Sequence, residues 1–305
     1  MLPKIVIIVG PTAVGKSDLA LDLAVAIDGA IVNADSQQVY RYLDIGTGKP
    51  TPAERQRVRH FLIDVIDPDE EFNAARFRFL AIQSIELIRA DQKNAIVCGG
   101  TGLYLKALAQ GLFEGPGQDA EIRRALEQRI KNDGLAPLYR WLTEVDPSGA
   151  ATIHPNDRQR TIRALEVYRL TGKPMSDWQK EHAFRERQFE LLKIGLNRPR
   201  DELYDLINRR CARMVEDGLV EEVRGLVTRG YGLALKSLRS VGYRQMGQVL
   251  EGRQTLPDAL EEMKQETRHL AKRQLTWFRA DQEVAWFHPR QKSAVIESVK
   301  RFLAS

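Results

Sequence analysis

Val9-Gly10-Pro11-Thr12-Ala13-Val14-Gly15-Lys16-Ser17-Asp18 is the stretch that decides the fold of this chain. It follows a β-branched run, Ile5-Val6-Ile7-Ile8, and leads into a segment with apolar residues at Leu19, Ala20, Leu21, Leu23 and Ala24. Strand, glycine-bounded loop ending in Lys-Ser, then helix is the context of a phosphate-binding loop. Gly10 and Gly15 let the backbone curl so that successive N–H groups point into one concavity. The start of the helix adds partial positive charge at the same spot. Lys16 supplies a mobile cation, and the Ser17 hydroxyl is placed to ligate Mg²⁺. Pro11, Thr12, Ala13 and Val14 complete the cradle. An ordinary strand-to-helix turn is the bland alternative, and motif and context together argue against it. The chain is expected to bind a polyphosphate.

Outward from the loop, short β-branched runs alternate with helical patterns, which predicts a parallel sheet with helices on both faces. Candidate strands are Ala30-Ile31-Val32-Asn33-Ala34, Phe61-Leu62-Ile63-Asp64-Val65-Ile66 and Asn94-Ala95-Ile96-Val97-Cys98, with a helix from Ala74 to Arg89 and another from about Leu103. Gly111-Leu112-Phe113-Glu114-Gly115-Pro116-Gly117 breaks any regular element. From Asp119 to about Arg187 only short helices and turns are read. Strand character returns at Phe189–Leu196, and a last short strand is placed at Glu283-Val284-Ala285-Trp286. The expected fold is α/β: a phosphate-loop, nucleoside-triphosphate-hydrolase-like parallel sheet core over 1–113 and 187–305, interrupted by a mostly helical insertion over 114–186.

The 305 residues are 43% hydrophobic, which suits a soluble globular protein. No apolar run approaches the ~20 residues of a membrane span, and the first strand begins too early to leave room for a signal peptide. The two cysteines, Cys98 and Cys211, show no metal or redox spacing and read as reduced thiols of a cytoplasmic protein. The five histidines are scattered, against a structural zinc site. A monomer is the default expectation. The net charge of +5 is modest, but its carriers cluster in 123–169 and 264–279, and a local basic face attracts a nucleic-acid backbone.

Ligands of open parallel sheets sit beyond the carboxyl ends of the strands. Besides the phosphate loop, two strand ends carry suitable residues: Asp35-Ser36-Gln37-Gln38 and Gly99-Gly100-Thr101-Gly102. All three are expected to converge on one crevice. Asp35 then serves as a general base near the phosphates, or Asp35 and Ser36 merely cap a following helix. The glycines around Thr101 make either a tight turn or a close approach to a ligand, with the Thr101 hydroxyl as donor. In the late helix Lys264, Arg268, Lys272 and Arg279 fall within about 80° of one another, with Met263, Leu270, Ala271, Trp277 and Phe278 on the other side. Such a stripe is either a solvated face or a nucleic-acid contact.

Asp35-Ser36-Gln37-Gln38-Val39-Tyr40, Asp44-Ile45-Gly46-Thr47-Gly48-Lys49-Pro50, Gly99-Gly100-Thr101-Gly102-Leu103-Tyr104 and Ser240-Val241-Gly242-Tyr243-Arg244-Gln245 together closely resemble the bacterial tRNA dimethylallyltransferases. The likeness covers nearly the whole chain. It implies transfer of a dimethylallyl group from dimethylallyl diphosphate to N6 of the adenosine at position 37, beside the anticodon, in tRNAs reading codons that begin with U. It implies further that Asp35 accepts the amine's proton and that Thr101 positions the reacting groups. Arg210 would reach the diphosphate, with Arg209 a competing assignment. The anticodon stem-loop would be met by Asp35, Ser36, Gln37, Gln38, Thr101, Arg123, Gln159, Arg160, Thr161, Ile162, Arg163, Arg244, Lys272, Arg273 and Arg279. The chain departs little from the family pattern: Val14 stands where serine is common, at a position where backbone matters more than side chain, and the extra zinc-finger region of eukaryotic relatives is not seen, which favours a bacterial-type enzyme. A nucleotide kinase would share the loop but leave the helical insertion and the stripe without a task. Prenylation of a free mononucleotide is disfavoured by the same basic residues, and a non-catalytic RNA-binding module by Ser17 and the acid at the strand end.

Overall fold

The computed structural model describes residues 2–112, 115–182 and 188–305. In chain order the core runs β1 (Lys4–Val9), α1 (Lys16–Ala26), β2 (Gly29–Asn33), α2 (Pro52–Arg57), β3 (His60–Phe61), α3 (Ala74–Ala90), β4 (Asn94–Cys98) and α4 (Gly102–Gln110). Helices α5 (Ala120–Asp133), α6 (Ala136–Val145), α7 (Pro147–Ala150), α8 (Arg158–Thr171) and α9 (Met175–His182) follow. The core resumes with β5 (Glu190–Leu196), α10 (Arg200–Glu216), α11 (Leu219–Thr228), α12 (Tyr243–Leu250), α13 (Leu256–Arg279), β6 (Val284–Phe287) and α14 (Lys292–Ala304).

The six strands form one sheet in the order β3-β2-β4-β1-β5-β6, and every pair is parallel. Ile5 to Val9 of β1 are buried between β4 and β5. A strand covered on both faces has no solvent side, so its sequence is an unbroken apolar run rather than an alternating one. This is why the run before the phosphate loop is readable as a central strand.

The loop after β1 has the shape its glycines anticipate. Gly10 sits at φ +146°, and a Cβ there would lie 2.6 Å from the carbonyl oxygen of Leu196, so only glycine fits. Ala13 is also left-handed, at φ +63°. A non-glycine residue is held in that conformation only where its surroundings enforce it, a pattern concentrated at functional sites.

The third strand differs from its expected span. Pairing with β2 is confined to His60 and Phe61, because Leu62 and Asp64 adopt left-handed backbone (φ +61° and +56°) that no regular strand accepts. The turn is bound from outside: Asn33 Nδ2 donates to Leu62 O at 3.0 Å, and the Asp64 carboxylate receives Lys49 and Arg55. The side-chain pattern of 61–66 was apolar enough for a strand, but these long-range partners bend it.

Two compact units emerge: Met1–Ala109 with Arg187–Ser305, and Gln110–Glu186. The domain boundaries expected at 113/114 and 186/187 lie outside the described residues. The second unit is helical, and its core is built from Leu126, Leu138, Leu142, Ile153, Ile162 and Leu165. Asp119 and Asp157 cap α5 and α8 by accepting from backbone N–H groups, each cap worth about 1 kcal/mol. Among the described residues no helix is long and apolar enough to cross a membrane.

Candidate active site

The carboxyl ends of β1, β2 and β4 meet. Lys16, Ser17, Asp35, Gln38, Gly99 and Arg210 line one crevice. Three loops build it.

In the first, the left-handed residues Ala13 (φ +63°) and Gly15 (φ +103°) alternate with their neighbours, turning successive N–H groups toward a common point. Lys16 Nζ donates to Gly10 O at 3.0 Å and Pro11 O at 2.7 Å. Burial pushes the Lys16 pKa down to about 8; Cys98 and Asp35 oppose that shift and Arg210 adds to it. Behind the loop, burial raises the Cys98 thiol to about 11, so it is a packing group rather than a nucleophile.

The second loop carries Asp35. No helix follows it, so the capping alternative falls away. Asp35 Oδ1 instead accepts from Gln37 N–H at 2.8 Å, and Asp35 N–H donates to Asn33 Oδ1 at 3.2 Å. The carboxylate is thereby fixed at the strand end. Gln38 Nε2 donates to Thr47 O and Gly48 O, both at 3.2 Å, so this nitrogen holds the neighbouring loop. Ser36 and Gln37 are half-buried beside it.

The third loop is pinned to the second. A Cβ on Gly99 would lie 2.2 Å from Ala34 O, so the two backbones approach as closely as glycine permits. Thr101 N–H donates to Ala34 O at 3.2 Å, and the Thr101 hydroxyl oxygen accepts from Ser36 N–H at 3.0 Å. Thr101 thus braces the loop that carries Asp35.

Arg210, on α10, borders the crevice, while the exposed Arg209 borders an adjacent groove along Ala13 to Asp18 together with Arg210. Burial lowers the Arg210 pKa from its ordinary value, against the attraction of Asp35. Its Nη2 donates to Thr47 O at 3.4 Å.

The residues expected to meet RNA do not all stand alike. Lys272, Arg273 and Arg279 are exposed on α13, and Gln159 and Arg160 on α8. Lys264 and Arg268 of the stripe are tied instead, to Glu261 and Asn208. Trp277, on the side away from the stripe, packs its indole against Gly102 while remaining 40% exposed. Arg244 pairs with Glu262 at 2.8 Å. Thr161 and Ile162 are buried in the helical unit, so their side chains support it rather than face solvent. Arg123 and Arg163 both grip the buried carboxylate of Glu166.

Two contributors escaped the sequence analysis. Gln274 of α13 lines the crevice, with Oε1 accepting from Thr12 N–H at 2.8 Å and Nε2 donating to Gly100 O at 3.0 Å. Its signal was present: a polar residue on the apolar arc of an amphipathic helix. Glu222 of α11 accepts from the N–H groups of Asp44, Ile45 and Gly46 and from the Tyr243 hydroxyl at 2.5 Å. This clamp sets the 44–48 loop against Gln38 and Arg210. No local pattern announces it, because its partners are about 180 residues apart in the chain.

A family described as IPP transferase matches residues 38–281 of the chain. The tRNA dimethylallyltransferase 2 of Geotalea uraniireducens is 49% identical over 302 residues, 99% of this chain and 97% of that protein. The crystal structure of the full-length tRNA isopentenylpyrophosphate transferase from Bacillus halodurans is similar with a TM-score of 0.71 and 40% identity, covering 99% of this chain and 95% of the other. A eukaryotic dimethylallyltransferase caught acting on tRNA gives a TM-score of 0.76 at 29% identity, over 94% of this chain and 74% of its own.

Proposed function

The chain belongs to the IPP transferase family and transfers a prenyl group to tRNA, and from that premise we propose the donor, the acceptor atom and the residue roles. The donor is dimethylallyl diphosphate. The acceptor is N6 of adenosine 37, in tRNAs reading codons that begin with U, and the product is N6-(dimethylallyl)adenosine.

The observation that carries this reading is the convergence of Lys16, Ser17, Asp35 and Arg210 on one crevice. In the reaction the N6 lone pair forms a bond to C1 of the donor. The C1–oxygen bond breaks, and its electron pair leaves with diphosphate. Backbone N–H groups of residues 13–17, Lys16 and Arg210 meet that charge as it develops. The adenine amine is a weak nucleophile because its lone pair is delocalised into the purine. Asp35 accepts its proton during attack, assistance worth ~10²–10⁴-fold. Thr101 keeps Asp35 in place through Ser36. An adenine in a single-stranded loop reaches such a crevice by flipping, at a cost of only a few kcal/mol. Lys272, Arg273, Arg279, Gln159 and Arg160 supply contacts to the RNA backbone.

Mg²⁺ fits the donor set. Among the described residues no cluster of three or more His, Cys, Asp or Glu is built for a metal. Magnesium in phosphate sites takes one or two protein oxygens and completes its shell with phosphate and water. The Ser17 hydroxyl is such an oxygen, and the ion would neutralise the leaving group.

The deciding experiment supplies undermodified tRNA and labelled dimethylallyl diphosphate to the purified protein. Label is expected on the adenosine following the anticodon, with one diphosphate released per transfer and no ATP consumed. Label on AMP in preference to tRNA, or ATP hydrolysis, overturns the reading.

A further inference from the structure

The loop of residues 44–49 carries the carbonyls that meet Gln38 and Arg210, and it is held from two sides. On one side Glu222 takes three consecutive N–H groups. Its Oε2 accepts from Asp44 at 3.1 Å and Ile45 at 2.7 Å, and its Oε1 from Gly46 at 3.2 Å. The hydroxyl of the buried Tyr243 completes the clamp, donating to Oε1 at 2.5 Å. On the other side the buried Lys49 ammonium donates to Tyr40 O at 2.6 Å, Asp44 Oδ1 at 2.7 Å and Asp64 Oδ1 at 2.6 Å. Two glycines mark where this loop is pressed against its neighbours. A Cβ on Gly46 would lie 2.4 Å from the Tyr243 ring, and one on Gly48 would lie 2.2 Å from Arg210 Nη2.

The second contact bears on where the guanidinium stands. Arg210 and Asp35 line the same crevice, and the pull of the carboxylate is felt at Arg210. A guanidinium free to move closes on a nearby carboxylate in a two-pronged pair. That pair would spend both partners. Asp35 would lose basicity, because a close cation favours its charged form, and Arg210 would lose the N–H groups that a diphosphate needs. Instead Arg210 Nη2 donates to Thr47 O at 3.4 Å, and the guanidinium lies against Gly48. Both of these anchors belong to the loop that Glu222 clamps.

We propose that Glu222 is a positioning residue for prenyl transfer: through the 44–48 loop it keeps Arg210 free for the diphosphate and apart from Asp35. The proposal rests on the reading of Arg210 as a ligand of the diphosphate. Glu222 lies outside the lining of the crevice, so it acts only through the loop. A carboxylate suits the task because every group facing it, three N–H and one O–H, is a donor.

The test is a double-mutant cycle between Glu222→Gln and Arg210→Ala in the full chain. Glutamine keeps the size of Glu222 but turns an NH2 group toward one or more of the donors. Each protein is read by kcat and KM for dimethylallyl diphosphate, by tRNA affinity in filter binding, and by its unfolding midpoint. Glu222→Gln is expected to raise the donor KM about tenfold, the worth of one hydrogen bond to a charged group, and to lower kcat as Asp35 is drawn into the pair. Its tRNA affinity stays at the wild-type value. In the Arg210→Ala background the same change leaves donor KM and kcat within about twofold. Tyr243→Phe removes one donor and keeps the carboxylate on the backbone, so it shifts the donor KM in the same direction by less, again only when Arg210 is present. Equal rises in both backgrounds overturn the proposal. So does a wild-type donor KM in Glu222→Gln, or a parallel loss of donor and tRNA binding in step with the midpoint. If Glu222→Gln does not fold, Tyr243→Phe decides by the same criteria. A wild-type donor KM in Arg210→Ala overturns the reading of Arg210 itself, and the proposal with it.

Discussion

The crevice and the helical unit both bring arginine close to carboxylate, and they put the pairing to opposite uses. In the crevice Arg210 feels Asp35 electrostatically, yet its guanidinium donates to a backbone carbonyl. Both charges remain available to a ligand. In the helical unit Glu166 is fully buried and fully engaged, accepting from Arg123 at 2.8 and 3.0 Å, from Arg163 at 2.7 Å and from Asp119 N–H at 2.8 Å. Burial by itself would raise the Glu166 pKa, but the two arginines outweigh it and hold it below its usual value. One arrangement leaves its charges open, and the other consumes them. What separates them is whether a buried carboxylate consumes the guanidinium.

The comparison breaks most visibly at Asp35. Asp35→Asn should lose turnover by about two to four orders of magnitude while tRNA affinity holds, measured by single-turnover transfer and by filter binding. Wild-type turnover in that variant removes Asp35 from the proton transfer. The matching change in the other region is Glu166→Gln, which leaves two arginines short of their partner. It should cost about 2–3 kcal/mol of stability, read as a lower unfolding midpoint of the full chain. An unchanged midpoint would make the Glu166 cluster dispensable to the stability of the fold.

The same contrast explains what was legible in the sequence. The sheet was readable because β1 is buried on both faces and so spells an unbroken apolar run, and because the Lys-Ser loop needs its glycines locally. Asp35 and the 99–102 loop were readable because strand ends are where parallel sheets bind ligands. The failures share one cause, partners far apart in the chain. The strand at 61–66 stops at Phe61 because Asn33, Lys49 and Arg55 bind the turn after it. The pairing of Arg123 and Arg163 with Glu166 across α5 and α8 had no local signal either. Gln274 alone left a trace, a polar residue on the apolar arc of α13.

The electrostatics of the crevice predict a pH effect of intermediate size. The Lys16 pKa lies near 8 in the free protein, lowered chiefly by burial. Below that pH the ammonium is already charged and the diphosphate binds without proton uptake. Above it the lysine is neutral, and an incoming anion must bring a proton with it. The KM for dimethylallyl diphosphate should therefore rise as pH increases past 8, approaching roughly tenfold per pH unit. Lys16→Arg, whose charge persists at all these values, should flatten the profile even if it binds more weakly. A KM independent of pH up to 9.5 or so would mean that Lys16 does not carry the anion.

The smallest effect tests whether the exposed basic residues of α13 differ in kind from the clamped arginines of the helical unit. A cation that neutralises one phosphate releases about one counterion, so Lys272→Ala should lower the slope of log affinity against log salt by about one unit. The loss should be severalfold at low salt and shrink as salt rises, because screening already removes most of the contribution there. Arg163→Ala should behave otherwise. Its guanidinium is committed to Glu166 and to the carbonyls of Pro116 and Gly117, so its removal should lower the unfolding midpoint and leave the salt slope where it was. Equal slopes for wild type and Lys272→Ala would place Lys272 with the solvated surface, and a reduced slope for Arg163→Ala would show that the clamp still leaves a charge for RNA.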